Sequence, residues 1–197
     1  MDDLGFVKNY LEQSIDTKNK ILGNENLLLK IASVSKLIVD CYRAGGKVLL
    51  AGNGGSAGDA QHIAAEFVSR FYYDRPGLPA ISLTTDSSML TAIGNDYGFD
   101  RVFSRQVQAQ GGKGDVFIGI TTSGNSLNVI KAIEEAASMG ITTVGLCGEG
   151  GKIKSMVDYP ICIPSSSTPL IQESHISVGH MICAIVEKTI YPQDINV

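Results

Sequence analysis

Apolar positions along this chain follow two rhythms. Between residues 25 and 44, Leu27, Ile31, Val34, Ile38 and Cys41 recur at steps of four and three, the spacing of one helix face. Residues 3–22 carry a second helical pattern, and Asn24 with Glu25 supplies the turn and helix-start chemistry between them. Further on, the apolar residues gather into short continuous runs at 48–51, 80–84, 116–120, 141–146 and 161–164. Such runs suit strands buried on both faces. Helical patterns separate them: one opening near Ser56 and Asp59, a short one capped by Ser87 or Asp86, and others over 98–110, 127–139 and 168–191. Thr168 followed by Pro169 marks the start of the last. Residues 74–79, 94–98, 111–114 and 148–151 read as turns or polar loops. Strands alternating with helices predict an α/β fold, a three-layer sandwich around a five-stranded parallel sheet. An N-terminal helix pair, residues 1–45, precedes it and covers the sheet or joins subunits.

Composition narrows the class. A chain of 197 residues reads as one domain over 1–197, enough to bury roughly 70% of its unfolded surface. Its formal net charge of −4 gives no basic surplus for nucleic acid, and no apolar run reaches membrane-spanning length. The opening M-D-D-L-G-F-V-K-N-Y lacks the basic region and apolar core of a signal peptide, so a cytoplasmic protein is expected. Cys41, Cys147, Cys162 and Cys183 form no C-x-x-C pair and read as small buried hydrophobes.

The candidate chemistry lies in two loops and two helices. After the run 48–51 comes G-N-G-G-S, residues 52–56, whose glycines let a ligand approach backbone N–H groups at a helix start. The helix that follows places His62 and Glu66 four residues apart, on one face. After the run 116–120 comes T-T-S-G-N-S, residues 121–126, five short hydrogen-bonding side chains and a glycine leading into another helix. That loop can hold a phosphate without a lysine. No G-K-S or G-K-T occurs, so a nucleotide P-loop is a weak fit and a phosphorylated sugar or similar small ester is expected. In the last helix Gln172 and His180, eight residues apart, lie about 80° apart around the axis and can look into one cleft. His175 reads as a satisfied core residue.

These motifs carry a resemblance. G-N-G-G-S-A with D-A-Q-H-I-A-A-E-F, then L-T-T-D, A-I-G-N-D-Y-G-F, F-S-R-Q-V, G-D-V-F-I-G-I-T-T-S-G-N-S and I-Q-E-S-H-I-S-V-G-H, resemble the phosphoheptose isomerases, sugar isomerase (SIS) domain proteins. The resemblance spans nearly the whole chain, from the N-terminal helices to His180. It implies interconversion of sedoheptulose 7-phosphate and D-glycero-D-manno-heptose 7-phosphate, the first step of ADP- or GDP-heptose biosynthesis. It further implies Glu66 as the base between C1 and C2, His180 as its acid–base partner, and one zinc ion per subunit on His62, Glu66, Gln172 and His180. Substrate contacts would fall to Asn53, Gly54, Gly55, Asn95, Asp96, Gln172 and Arg70, and the phosphate to Ser56, Thr121, Thr122, Ser123 and Ser126. No nucleotide cofactor is implied. The family forms homotetramers with shared active sites. Two positions depart from the family: Thr121 stands where relatives often have Ser, and Leu170 where many have Arg.

Three other readings remain. A non-catalytic SIS relative that binds a replication initiator would not need both Glu66 and His180. An SIS regulator sensing sugar phosphates would usually carry a DNA-binding domain, for which the chain leaves no room. A dinucleotide oxidoreductase rests only on Gly52, Gly54 and Ala57 fitting G-x-G-x-x-A, with no acidic residue ending a second strand about 20 residues on.

Overall fold

The computed structural model describes residues 2–193. Two helices, α1 (Asp3–Leu22) and α2 (Glu25–Arg43), lead into β1 (Val48–Gly52) and α3 (Gly55–Val68). There follow β2 (Ala80–Ser82), α4 (Ser87–Tyr97), α5 (Ser104–Gln110), β3 (Val116–Ile120) and α6 (Leu127–Ser138). The chain ends in β4 (Thr142–Cys147), β5 (Tyr159–Cys162) and α7 (Thr168–Ile190). All four strand pairings are parallel, as the apolar runs predict, and the strand order is β2-β1-β3-β4-β5.

Successive strand residues alternate between two cores. Val48, Leu50, Ile118, Val144 and Leu146 pack with Ile31, Val34 and Ile38 of α2, Ile63 and Phe67 of α3, and Val178 and Ile182 of α7. Leu49, Ala51 and Phe117 pack on the other face with Val107 of α5 and Val129 and Ile133 of α6. Each such side chain, fully buried, contributes about 1.5–3 kcal/mol. The predicted stripe on α2 is therefore a core stripe.

The sequence reading misplaces four boundaries, each for a local reason. Residues 94–97, expected as loop, close α4, because Asp86 Oδ1 caps it by accepting from Met89 N (2.8 Å) and only Gly98 adopts a positive φ, +91°. That turn at Gly98 also splits the helix expected over 98–110 into a 3₁₀ turn at Phe99–Arg101 and the short α5. β2 stops at Ser82, where the Thr85 hydroxyl donates to the Ser82 carbonyl (3.2 Å) and bends the chain. β5 begins two residues early and includes Pro160, tolerated because β5 is an edge strand paired only with β4. α7 does start at Thr168, as expected, with Ser167 as its N-cap and Pro169 in its first turn.

Cys41, Cys147 and Cys183 are buried and Cys162 is half-buried, all four thiols free. The Cys147 and Cys162 sulfurs lie 3.6 Å apart across the β4–β5 pair.

Candidate active site

Strand order reverses between β1 and β3, and the loops that follow these two strands flank that switch point, where parallel α/β sheets bind ligands. In the first loop Gly54 has φ +56° and is the N-cap of α3. No side chain caps this helix start; Ser56 N and Ala57 N donate to the Asn53 and Gly54 carbonyls (3.0 Å each), and among the described residues Gly55 N has no partner. Ser56 lies in the first turn of α3, as expected, and Asp59 a turn further in; both are buried. In the second loop Thr121 Oγ1 lies 2.8 Å from Ser126 Oγ and 3.3 Å from Ser123 Oγ. Ser126 is the N-cap of α6 but makes no side-chain cap bond; Val129 N donates to Asn128 Oδ1 (3.0 Å), and among the described residues Leu127 N and Asn128 N have no partner.

The loop is held from behind. Lys152 N donates to the Gly124 carbonyl (2.9 Å), and Gly148 N to that of Thr122 (3.1 Å). Gly124, at φ +66°, has no room for a side chain: a Cβ there would lie 2.7 Å from the Gly150 carbonyl oxygen. An open cavity of about 500 Å³ lies beside Thr122 and Ser123 and is also lined by Ser165, Ser166 and Thr168.

One residue outside the sequence reading ties the two loops together. Asn128, 4% exposed in the first turn of α6, exchanges two amide hydrogen bonds of 2.8 Å with Asn53 of the first loop. A polar residue on the otherwise apolar inner face of α6 was its signal.

α3 and α7 bring the titratable groups together. His62 Nε2 lies 3.0 Å from Glu66 Oε1 and 3.1 Å from His180 Nε2, and one ligating atom of each of the three falls within 4.8 Å of the others. Gln172 lies on the same side: its Nε2 donates to Asp59 Oδ1 (3.2 Å), and its amide carbon would lie 2.9 Å from a Cβ on Gly55. Burial pushes the Asp59 carboxyl up from its ordinary range. Phe71 backs His180, ring centres 5.5 Å apart.

Other expected contacts do not join the cluster within this chain. Arg70 is exposed just past α3, and Asn95 and Asp96 are exposed on α4, where the Asn95 amide donates to Asp96 Oδ1 (2.8 Å). Among the described residues none of the three has a hydrogen bond to His62, Glu66, His180 or the loop at 121–126. Leu170 is buried at 4%. His175 is fully buried, and neither ring nitrogen has a hydrogen-bond partner among the described residues. The expectation of a satisfied core histidine is half right.

Two helix starts at a sheet switch point, with a carboxylate and two imidazoles meeting on α3 and α7, define an α/β protein with a candidate ligand site and acid–base groups. A family model described as the SIS domain matches residues 9–148. The phosphoheptose isomerase of Aneurinibacillus thermoaerophilus is 58% identical over 187 residues, 94% of each chain. That of Sulfurimonas denitrificans is 56% identical over 97% of this chain and 98% of its own. Among solved structures, a phosphoheptose isomerase from Francisella tularensis superposes with a TM-score of 0.91 at 38% identity, covering 95% of this chain and all of that one. The chain belongs to the SIS domain family and, within it, to the phosphoheptose isomerases, which are sugar isomerase enzymes.

Proposed function

We propose that the protein converts sedoheptulose 7-phosphate to D-glycero-D-manno-heptose 7-phosphate by proton transfer through an enediol, supplying ADP- or GDP-heptose synthesis in the cytoplasm. The observation that carries this reading is the meeting of Glu66 and His180, on different helices, in one cluster. An aldose–ketose shift needs one group to carry the carbon-bound proton and a second to manage the hydroxyl protons. Glu66 takes the proton from C1 and returns it to C2. His180 exchanges the proton between the two oxygens. The phosphate sits on the hydroxyls of Thr121, Thr122, Ser123 and Ser126 and at the open start of α6, with Ser56 at the start of α3. Asn53, Gly54 and Gly55 line the sugar, and the Asn53–Asn128 exchange fixes the spacing between sugar and phosphate ends.

The cluster fits a zinc ion. Two imidazoles and a carboxylate form a common catalytic donor set, and bonds of about 2.0–2.1 Å in a tetrahedral site put donor atoms about 3.3 Å apart, close to the 3.0 and 3.1 Å found here. His62, Glu66 and His180 would hold it, with Gln172 as a fourth donor. When bound, zinc would polarise the carbonyl and stabilise the enediolate. The whole chain acts as one SIS domain in a homotetramer with shared sites, in which Arg70, Asn95 and Asp96 reach substrate.

The test is turnover of sedoheptulose 7-phosphate by the purified protein, with and without a chelator, beside Glu66→Gln and His180→Gln. Each substitution should lower kcat by about 10²-fold or more. The chelator arm separates a zinc-dependent from a zinc-independent mechanism. No turnover by the folded, metal-replete parent rejects the reading.

A further inference from the structure

One buried ion pair fastens the segment between α3 and β2 to both helices of the cluster. Arg75 Nε lies 3.0 Å from Glu187 Oε1, with 2% and 1% of the two side chains exposed. The remaining guanidinium donors close the end of α3: Nη2 donates to the Glu66 carbonyl (2.8 Å), and Nη1 to those of Phe67 (2.6 Å) and Pro76 (3.1 Å). A helix leaves its last carbonyls without intrahelical donors, and a cation there complements the helix dipole. Glu187, on α7, accepts from Phe71 N on Oε1 (2.8 Å) and from Tyr72 N on Oε2 (2.7 Å). Phe71 is thereby fixed with its ring against His180.

Glu66 and His180 come from different helices, so their relation is only as fixed as the parts that carry them. The Arg75–Glu187 pair touches both: the backbone of Glu66 directly, and His180 through Phe71. We propose that Arg75 and Glu187 are positioning residues for the proton transfer, holding the last turn of α3 and the Phe71 ring so that the Glu66 carboxylate and His180 imidazole face one substrate. The inference rests on reading Glu66 and His180 as the proton-transfer pair. A purely structural ion pair would need no such fork, since apolar residues of similar volume often replace one without loss of stability.

The experiment compares Arg75→Lys, Glu187→Gln and Phe71→Leu with the parent and with Glu66→Gln, using sedoheptulose 7-phosphate with and without deuterium at C1. Lysine keeps the charge but cannot fork to three carbonyls and a carboxylate. A misplaced base should lower kcat about ten-fold or more in Arg75→Lys and Glu187→Gln, with KM within about two-fold. The isotope effect on kcat should rise in both as proton removal becomes the slow step. Phe71→Leu removes the ring behind His180, which also meets Tyr72 edge-on and packs on the core, but leaves the ion pair in place and keeps the test open if the other two fail to fold; it should lower kcat about three-fold in a protein that still melts cooperatively. Folded variants with parental kcat, or with a loss confined to KM and an unchanged isotope effect, overturn the inference. If these variants match the parent while Glu66→Gln is inactive, the positioning role alone falls. If Glu66→Gln itself turns over normally, the base assignment fails and the positioning role goes with it.

Discussion

Gly179 of α7 lies so close to Ile63 of α3 that a Cβ at position 179 would sit 2.6 Å from Ile63 Cδ1 and 2.7 Å from its Cγ1. Each is the immediate neighbour of a cluster histidine, Gly179 of His180 and Ile63 of His62. The two helices are thus in tight contact beside the point where the imidazoles meet, and the absent side chain at 179 leaves room for their nitrogens to come to 3.1 Å. Ile63 is 2% exposed and has little room to retreat.

Gly179→Ala should therefore separate the histidines more than it harms the fold. Overpacking of this kind costs about 1–3 kcal/mol, offset in part by alanine's better helix propensity. The expected outcome is a folded protein, by circular dichroism and thermal melt, with kcat reduced about ten-fold or more and zinc affinity weakened. Parental zinc affinity, measured by competition with a chelating dye, would refute the link between helix spacing and the cluster.

Asn128 should couple the two ligand loops. Removing its amide leaves Asn53 with an unmade pair of hydrogen bonds in a half-buried site, a cost of about 1–3 kcal/mol. For Asn128→Ala we expect KM for the sugar phosphate to rise about ten-fold or more. Affinity for inorganic phosphate, which draws on the 121–126 loop and only Ser56 of the first, should change less. Equal losses for both ligands would show that Asn128 shapes the phosphate loop alone.

Much of this site was legible in the sequence because its parts are local. His62 and Glu66 share a helix face by their spacing, and the hydroxyl loop at 121–126 announces itself by composition. The strands were legible because both faces of the sheet are covered, which makes each run continuously apolar. What depends on tertiary approach was not: no local pattern singles out Gly179, Asn128 or Glu187, and Arg75 falls within the turn expected at 74–79. Their roles exist only once α3, α7 and the segment 69–79 are side by side. Boundaries failed at Gly94 and Pro160 because glycine and proline report tolerated conformations as well as breaks, and the helix cap at Asp86 and the sheet edge decided each case.

His175 should make the fold acid-sensitive. Burial pushes its pKa down from 6.5 to about 4, and the nearby Cys147 backbone offsets this only in part, without a hydrogen bond of good geometry. Between those values the unfolded chain binds a proton that the folded chain excludes. Stability should be complete above about pH 6.5 and fall as pH drops toward 4, by up to about 3 kcal/mol from this residue. His175→Met should flatten that part of the stability curve in urea titrations between pH 4 and 7. An unchanged slope would assign the acid lability to other groups.

The N-terminal helix carries a face that the described chain leaves open. Leu4, Val7, Leu11 and Ile15 recur at steps of three and four along α1 and are 61%, 53%, 56% and 58% exposed. Nearby, an apolar groove of about 300 Å³ runs between α1 and α7, lined by Ile21, Leu22, Leu28, Val178 and Met181. A contiguous apolar face of this kind marks an interaction surface, and in the proposed tetramer its partner is another copy of the chain. Leu11→Glu with Ile15→Lys places opposite charges on that face without touching the sheet or the cluster. Light scattering should then find a smaller species that retains its secondary structure. Because the proposed sites are shared between subunits, turnover should fall with the assembly and recover partially at high protein concentration. A double variant that remains tetrameric would move the interface elsewhere, and a dissociated one with parental kcat would mean that each subunit carries a complete site.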